Sequence, residues 1–87
     1  MTAVERTEAF ADWESKLKKK DLNAAARVAV RIQRLAAGNP GDVEPVGEGV
    51  SELRIHYGPG YRVYYITEGD LLILLLMPLL LSDFRLN

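Results

Sequence analysis

Apolar and polar positions alternate through residues 50–57 and 60–66, on either side of a Gly58-Pro59-Gly60 turn, which is the pattern of a β-hairpin. With the loop at 58–60, the register sets Tyr57 against Tyr61, His56 against Arg62, Ile55 against Val63, Arg54 against Tyr64 and Leu53 against Tyr65. A period of two then sorts the side chains. Leu53, Ile55, Tyr57, Tyr61, Val63 and Tyr65 share one face, which reads as a core. Arg54, His56, Arg62 and Tyr64 share the other, with Glu52 and Ile66 at its end.

The pattern before the hairpin is helical. Thr7 can cap a helix whose Phe10, Trp13 and Leu17 fall on one face. Asp21 can cap a second, over 22–37, where alanine is abundant and Gly and Pro are absent. Ala25, Val28, Ile32 and Leu35 form its apolar stripe. Arg27, Arg31 and Arg34 form a basic one at the same spacing, about 100° away. Gly38-Asn39-Pro40-Gly41 ends this helix, and 42–49 reads as a loop with a short extended piece at 43–46. After a polar turn at 67–70, the apolar run 71–76 reads as a central strand buried on both faces. An edge strand is placed at 3–5. The fold class expected is α+β, an N-terminal helical hairpin packed on a small, mainly antiparallel sheet.

Composition narrows the chemistry. The 87 residues suit one small domain, and 48% hydrophobic with 26% charged residues is a globular balance. Without Cys, and with a single His, thiolate and zinc sites are excluded as the basis of function, so no metal is assigned. The mixed, charged N-terminus does not read as a secretory signal, which favours a cytoplasmic location. Net charge is −1, but residues 1–40 carry +3 and the remainder −4. Bulk electrostatics alone would therefore not hold nucleic acid. Eleven uncharged residues from Leu71 to Leu81 are too few for a membrane span of about 20.

Two arginines, the single histidine and a tyrosine on one hairpin face suit an anion, with phosphate the first choice. Arg54 and Arg62 can stabilise added charge on phosphorus, and His56 has a side chain suited to proton transfer near neutral pH. Tyr64 can stack on a base or orient the phosphate. Lys18, Lys19 and Lys20 read either as a solvated helix end or as a contact to RNA or an acidic partner. Arg27 and Arg31 read either as an exposed flank or as a basic ridge for RNA. Glu44, Glu48 and Glu52 flank the basic face and can balance it.

The order of elements, with Glu52-Leu53-Arg54-Ile55 and Gly58-Pro59-Gly60-Tyr61-Arg62-Val63-Tyr64-Tyr65, resembles a known family. Further matching segments are Phe10-Ala11-Asp12-Trp13, Ala29-Val30-Arg31-Ile32 and the loop from Gly38 to Val50. The chain is similar to the RelE/ParE-type toxins of bacterial type II toxin–antitoxin modules, and within them to the HigB-like addiction module killer proteins. The resemblance implies a RelE-like fold over 1–76. It also implies a ribosome-dependent mRNA endonuclease that uses the ribose 2′-OH and needs no metal or cofactor. Partners would be the ribosome with its mRNA, and a cognate helix-turn-helix antitoxin through which operator DNA is reached. Catalytic roles fall by position to Arg54, Arg62 and, beside them, His56. Substrate-binding roles fall to Tyr64, Lys18, Lys19, Lys20, Arg27 and Arg31.

The family pattern stops after Leu76. Members of this subgroup continue through a Gly-rich segment ending in a lysine and then a charged helix, which supplies part of the site. Here 77–87 is an atypical apolar tail with Pro78 near its start. A changed reading frame near residue 76 would account for it, with the exposed apolar surface covered by a second copy in a homodimer. The alternatives are therefore a catalytically impaired remnant that only binds antitoxin, and a toxin directed at DNA gyrase.

Overall fold

A computed structural model describes residues 2–76. The expectations for 77–87, namely the Pro78 stop, the atypical tail and its pairing of two copies, lie outside the described residues. Thr7 opens the first helix, α1 (Glu8–Lys20): its hydroxyl accepts from the Phe10 amide at 3.3 Å. Glu8 in the first turn and three lysines in the last complement the helix dipole. Asp21 then serves two helices. Its amide donates to the Leu17 carbonyl at 2.7 Å, and its carboxylate accepts from the Ala24 amide at 3.1 Å to open α2 (Leu22–Ala36). One residue thus makes the helical hairpin. Gly38, at φ +88°, ends α2, and the Asn39 amide reaches back to the Arg34 carbonyl at 2.8 Å.

Five strands, β1 (Ala3–Arg6), β2 (Val43–Gly47), β3 (Val50–Ile55), β4 (Tyr61–Glu68) and β5 (Leu71–Leu75), form one sheet in the order β1-β5-β4-β3-β2. Every neighbouring pair is antiparallel except β1 on β5. The fold is α+β, with the N-terminal helices packed on one face of the sheet.

The core forms where the two periodicities meet. Phe10 and Leu17 of α1 and Ala24, Ala25, Val28 and Ile32 of α2 pack on Leu53, Ile55, Val63, Tyr65, Leu72 and Leu74. Trp13 is half-buried beside Phe10 and Tyr61, with ring centroids 5.5 and 6.3 Å away. The apolar run of β5 is buried on both faces as expected: Leu72 and Leu74 enter the main core, while Ile73 and Leu75 join Val50 in a smaller cluster across the sheet. Among the described residues, no helix is long and apolar enough to cross a membrane.

One sequence expectation is corrected. The hairpin register is displaced by two: Ile55 faces Tyr61, Arg54 faces Arg62, Leu53 faces Val63 and Glu52 faces Tyr64. The loop is therefore 56–60, and His56 leaves the ladder. The cause is a turn closed by the Gly60 amide on the Tyr57 carbonyl at 3.0 Å, with Gly58 at φ +57°. Tyr57 packs against the core under the Arg27 guanidinium, 5.0 Å from its ring centroid. A slip of two keeps every side chain on its expected face, whereas a slip of one would have exchanged them. The short extended piece expected at 43–46 is the edge strand β2, paired with β3 and with a shift in register between Pro45 and Gly47. An edge strand tolerates its Gly, Pro and Glu content.

Candidate functional site

The face of the sheet away from the helices carries a checkered charge pattern. In one cross-strand row Glu44 of β2 lies opposite Glu52 of β3, and Glu52 opposite Tyr64 of β4. In the next row Arg54 lies opposite Arg62. Like charges directly opposite each other repel, so each row depends on the other. Glu52, with its side chain only 7% exposed, is the hinge of the pattern. One carboxylate oxygen accepts from Arg54 Nε at 2.8 Å, and the other lies 3.8 Å from Arg62 Nη1.

Arg54 has carboxylates around its whole guanidinium. Nε meets Glu52, Nη2 meets Glu44, and Nη1 is 4.0 Å from Asp42 Oδ1. The hydrogen bond to Glu52 is the chief reason its pKa is raised above the ordinary value. The same bond holds the Glu52 carboxyl below its ordinary range, aided by the Tyr64 hydroxyl and the charge of Arg62. His56 Nε2 stands 2.6 Å from Asp42 Oδ2, and this contact is the chief reason the Asp42 carboxyl is also lowered.

The face expected to be cationic is thus a network of three bases and three acids. Glu44 and Glu52 play the balancing part expected of them, but the anion-binding capacity is uneven. Arg54 is saturated by protein carboxylates, whereas the Arg62 side chain is 66% exposed and, among the described residues, holds one long contact. A hollow of about 160 Å³ at the mouth of the hairpin gathers Arg54, His56 and Arg62 with Pro59, Gly60 and Tyr61. The three residues assigned catalytic roles therefore meet, although His56 arrives from the loop rather than from the strand.

The expected substrate-binding residues disperse. Tyr64 sits half-buried between Glu52 and Leu75, against the smaller apolar cluster. Lys18, Lys19 and Lys20 are exposed at the end of α1, on the helical side of the sheet. Arg27 covers Tyr57. Arg31 turns inward as a clamp: Nη1 donates to the Arg54 carbonyl at 2.6 Å, and Nη2 to the Pro40 carbonyl at 3.0 Å and the Asp42 carbonyl at 3.5 Å. It therefore ties α2 to the segment that carries Asp42. A second hollow, about 260 Å³, holds Arg27, Arg31, Arg34, His56 and Tyr57. His56 stands on the ridge between the two.

Size alone does not locate the site. A hollow of about 550 Å³ between β1 and α2 has Arg6 as its one charged group, and one of about 650 Å³ on α1 offers only Glu8 and Asp12. Neither sets a cation beside a proton-transfer group. Among the described residues, no three His, Cys, Asp or Glu side chains converge as metal ligands.

The lowered carboxyls give the network a pH dependence. The folded-state pKa of Asp42 lies below its ordinary 3.8 and that of Glu52 below its ordinary 4.5. Their contribution to stability is complete above those ordinary values and is lost as pH falls through the lower folded-state ones. The urea midpoint is therefore expected to drop more between pH 6 and pH 3 for the wild type than for the Asp42→Asn/Glu52→Gln double variant. Equal drops would assign the acid sensitivity elsewhere.

No family model matches the chain, and no solved structure matches it. An uncharacterized protein of Haemophilus influenzae is 45% identical over 73 residues, which cover 84% of this chain and 72% of that protein. Identity at that level across most of both chains carries one fold and one arrangement of elements, and the chain belongs to the family of that Haemophilus influenzae protein.

Proposed function

We propose that the protein is the toxin of a type II toxin–antitoxin module, a RelE/HigB-like, metal-independent mRNA endonuclease that acts on the ribosome in the cytoplasm. The observation that carries this reading is the convergence of Arg54, His56 and Arg62 on one hollow from β3, the loop and β4. The chemistry needs a base for the ribose 2′-OH and a clamp for the charge that builds on phosphorus. His56 takes the 2′-OH proton as the 2′-oxygen attacks phosphorus. The P–O5′ bond breaks, leaving a 2′,3′-cyclic phosphate, and the departing 5′-oxygen takes a proton from water. Arg62 clamps the non-bridging oxygens. Arg54, bound by Glu52, Glu44 and Asp42, holds β2 and β3 together behind the hollow. A cognate helix-turn-helix antitoxin is the partner that would neutralise the protein and bring it to operator DNA.

A translation extract primed with a defined mRNA tests this. Codon-linked cuts that need ribosomes are the expected result, and intact mRNA at high protein concentration would remove the endonuclease reading. One observation favours the second reading, an antitoxin-binding module with impaired catalysis: each guanidinium nitrogen of Arg54 already faces a carboxylate of the protein. Intact mRNA together with antitoxin binding would select it. Inhibition of DNA supercoiling would instead select a gyrase-directed toxin.

A further inference from the structure

We propose that Asp42 is a positioning residue for His56: it holds Nε2, so that Nδ1 is the nitrogen turned to the RNA. This rests on the endonuclease reading of the hollow. His56 needs such a tether. It is the first residue beyond β3, and its side chain is 76% exposed, so packing does not fix the ring. The contact that does is the 2.6 Å bond from Nε2 to Asp42 Oδ2. A carboxylate on one imidazole nitrogen sets both the tautomer and the orientation of the other.

Asp42 is itself held by two donors on its carbonyl. Its carbonyl accepts from the Arg54 amide at 3.0 Å and lies 3.5 Å from Arg31 Nη2. Arg31 also grips the Pro40 carbonyl. Between them Gly41 turns the chain at φ +72°, and a Cβ there would come within 3.1 Å of the Arg31 guanidinium. A chain of contacts thus runs from α2 through Arg31 and the segment 40–42 to Asp42, and from there to the imidazole. It lets an exposed loop residue share the rigidity of the helical layer. Because Nε2 is taken, proton transfer from the 2′-OH falls to Nδ1.

The experiment has two arms. In the first, RNA cleavage is measured for the wild type, Asp42→Ala, Asp42→Asn, His56→Ala and the Asp42→Ala/His56→Ala double variant. Asp42→Ala is expected to lower kcat by on the order of 10²-fold with KM little changed, as for a misplaced catalytic group. It should add no further loss in the His56→Ala background. Losses that multiply would overturn the proposal, because Asp42 would then act independently of the imidazole. In the second arm, three-bond couplings give the His56 χ1 rotamer by NMR. A single rotamer in the wild type and averaging in Asp42→Ala is the expected result; equal averaging in both overturns the proposal. Asp42→Asn, whose amide oxygen can still accept from Nε2, is expected to keep part of the rate and the single rotamer; should the alanine variant unfold, Asp42→Leu, of similar size and without an acceptor, takes its place. If the wild type cuts no RNA, the endonuclease reading fails, and the NMR arm alone decides whether Asp42 positions the ring.

Discussion

Replacing Arg62 by alanine is expected to lower mRNA cleavage by about 10²–10³-fold, the loss typical of a removed transition-state charge donor. Stability should move by no more than about 1 kcal/mol, because among the described residues the 3.8 Å contact to Glu52 is the one ion pair of a largely exposed side chain. Arg62→Lys should recover part of the rate, since an ammonium supplies the charge without the paired donors of the guanidinium fork. Arg54→Ala makes the comparison informative. Its guanidinium is bound to protein carboxylates, so its removal should disturb β2 and the placement of Asp42 as well as the rate. Single-turnover cleavage and urea melts on the three variants measure both quantities. An Arg62→Ala protein that cuts at the wild-type rate would take the phosphate clamp away from this position.

The largest expected loss of stability is at Phe10. Its ring is 1% exposed, and it sits one turn into α1, where the helix is fastened to β5. The Thr7 amide and hydroxyl both donate to the Leu74 carbonyl, at 3.1 and 2.9 Å. The cap, the strand end and the aromatic side chain therefore form one joint. Phe10→Ala is expected to cost about 3–5 kcal/mol, through lost burial and the cavity left beside Trp13. At roughly 4–8 °C per kcal/mol for a domain of this size, Tm should fall by at least about 12 °C. Calorimetry measures this directly. A fall of only a few degrees would mean that Trp13 and Leu17 close over the vacancy.

What could be read before folding, and what could not, divides along sequence distance. The helices, the core stripes and the alternating hairpin faces follow from local period, and each lies on the side expected. The register does not. Gly58-Pro59-Gly60 suggests a minimal loop, but the Tyr57 ring packed beneath Arg27 of α2 draws the turn back to 56–60. Arg31 shares its spacing with Arg27 and Arg34, yet it reaches a carbonyl 23 positions away instead of solvent. The site shows the same limit. Arg54, His56 and Arg62 stand out by residue type and alternation. Glu52, the chief partner of Arg54, is two positions away, but the other carboxylates come from β2 and its approach: Glu44 is 10 positions from Arg54, and Asp42 is 14 from His56. No local pattern links such pairs. A positive face and its balancing by Glu44 and Glu52 were legible, and the part played by Asp42 was not.

The parallel pairing of β1 with β5 sets the order in which the molecule can be completed. Thr7 and Leu74 meet across 67 positions, whereas the helical hairpin and the strands from β2 to β5 close over short stretches of chain. Closing a long loop carries the larger entropic cost and slows folding. During synthesis the residues of β1 emerge first but must wait, unpaired, until β5 has left the ribosome. The joint that seats α1 on the sheet is thus among the last to form, and the nascent chain holds its hairpin face on an unfinished sheet until then.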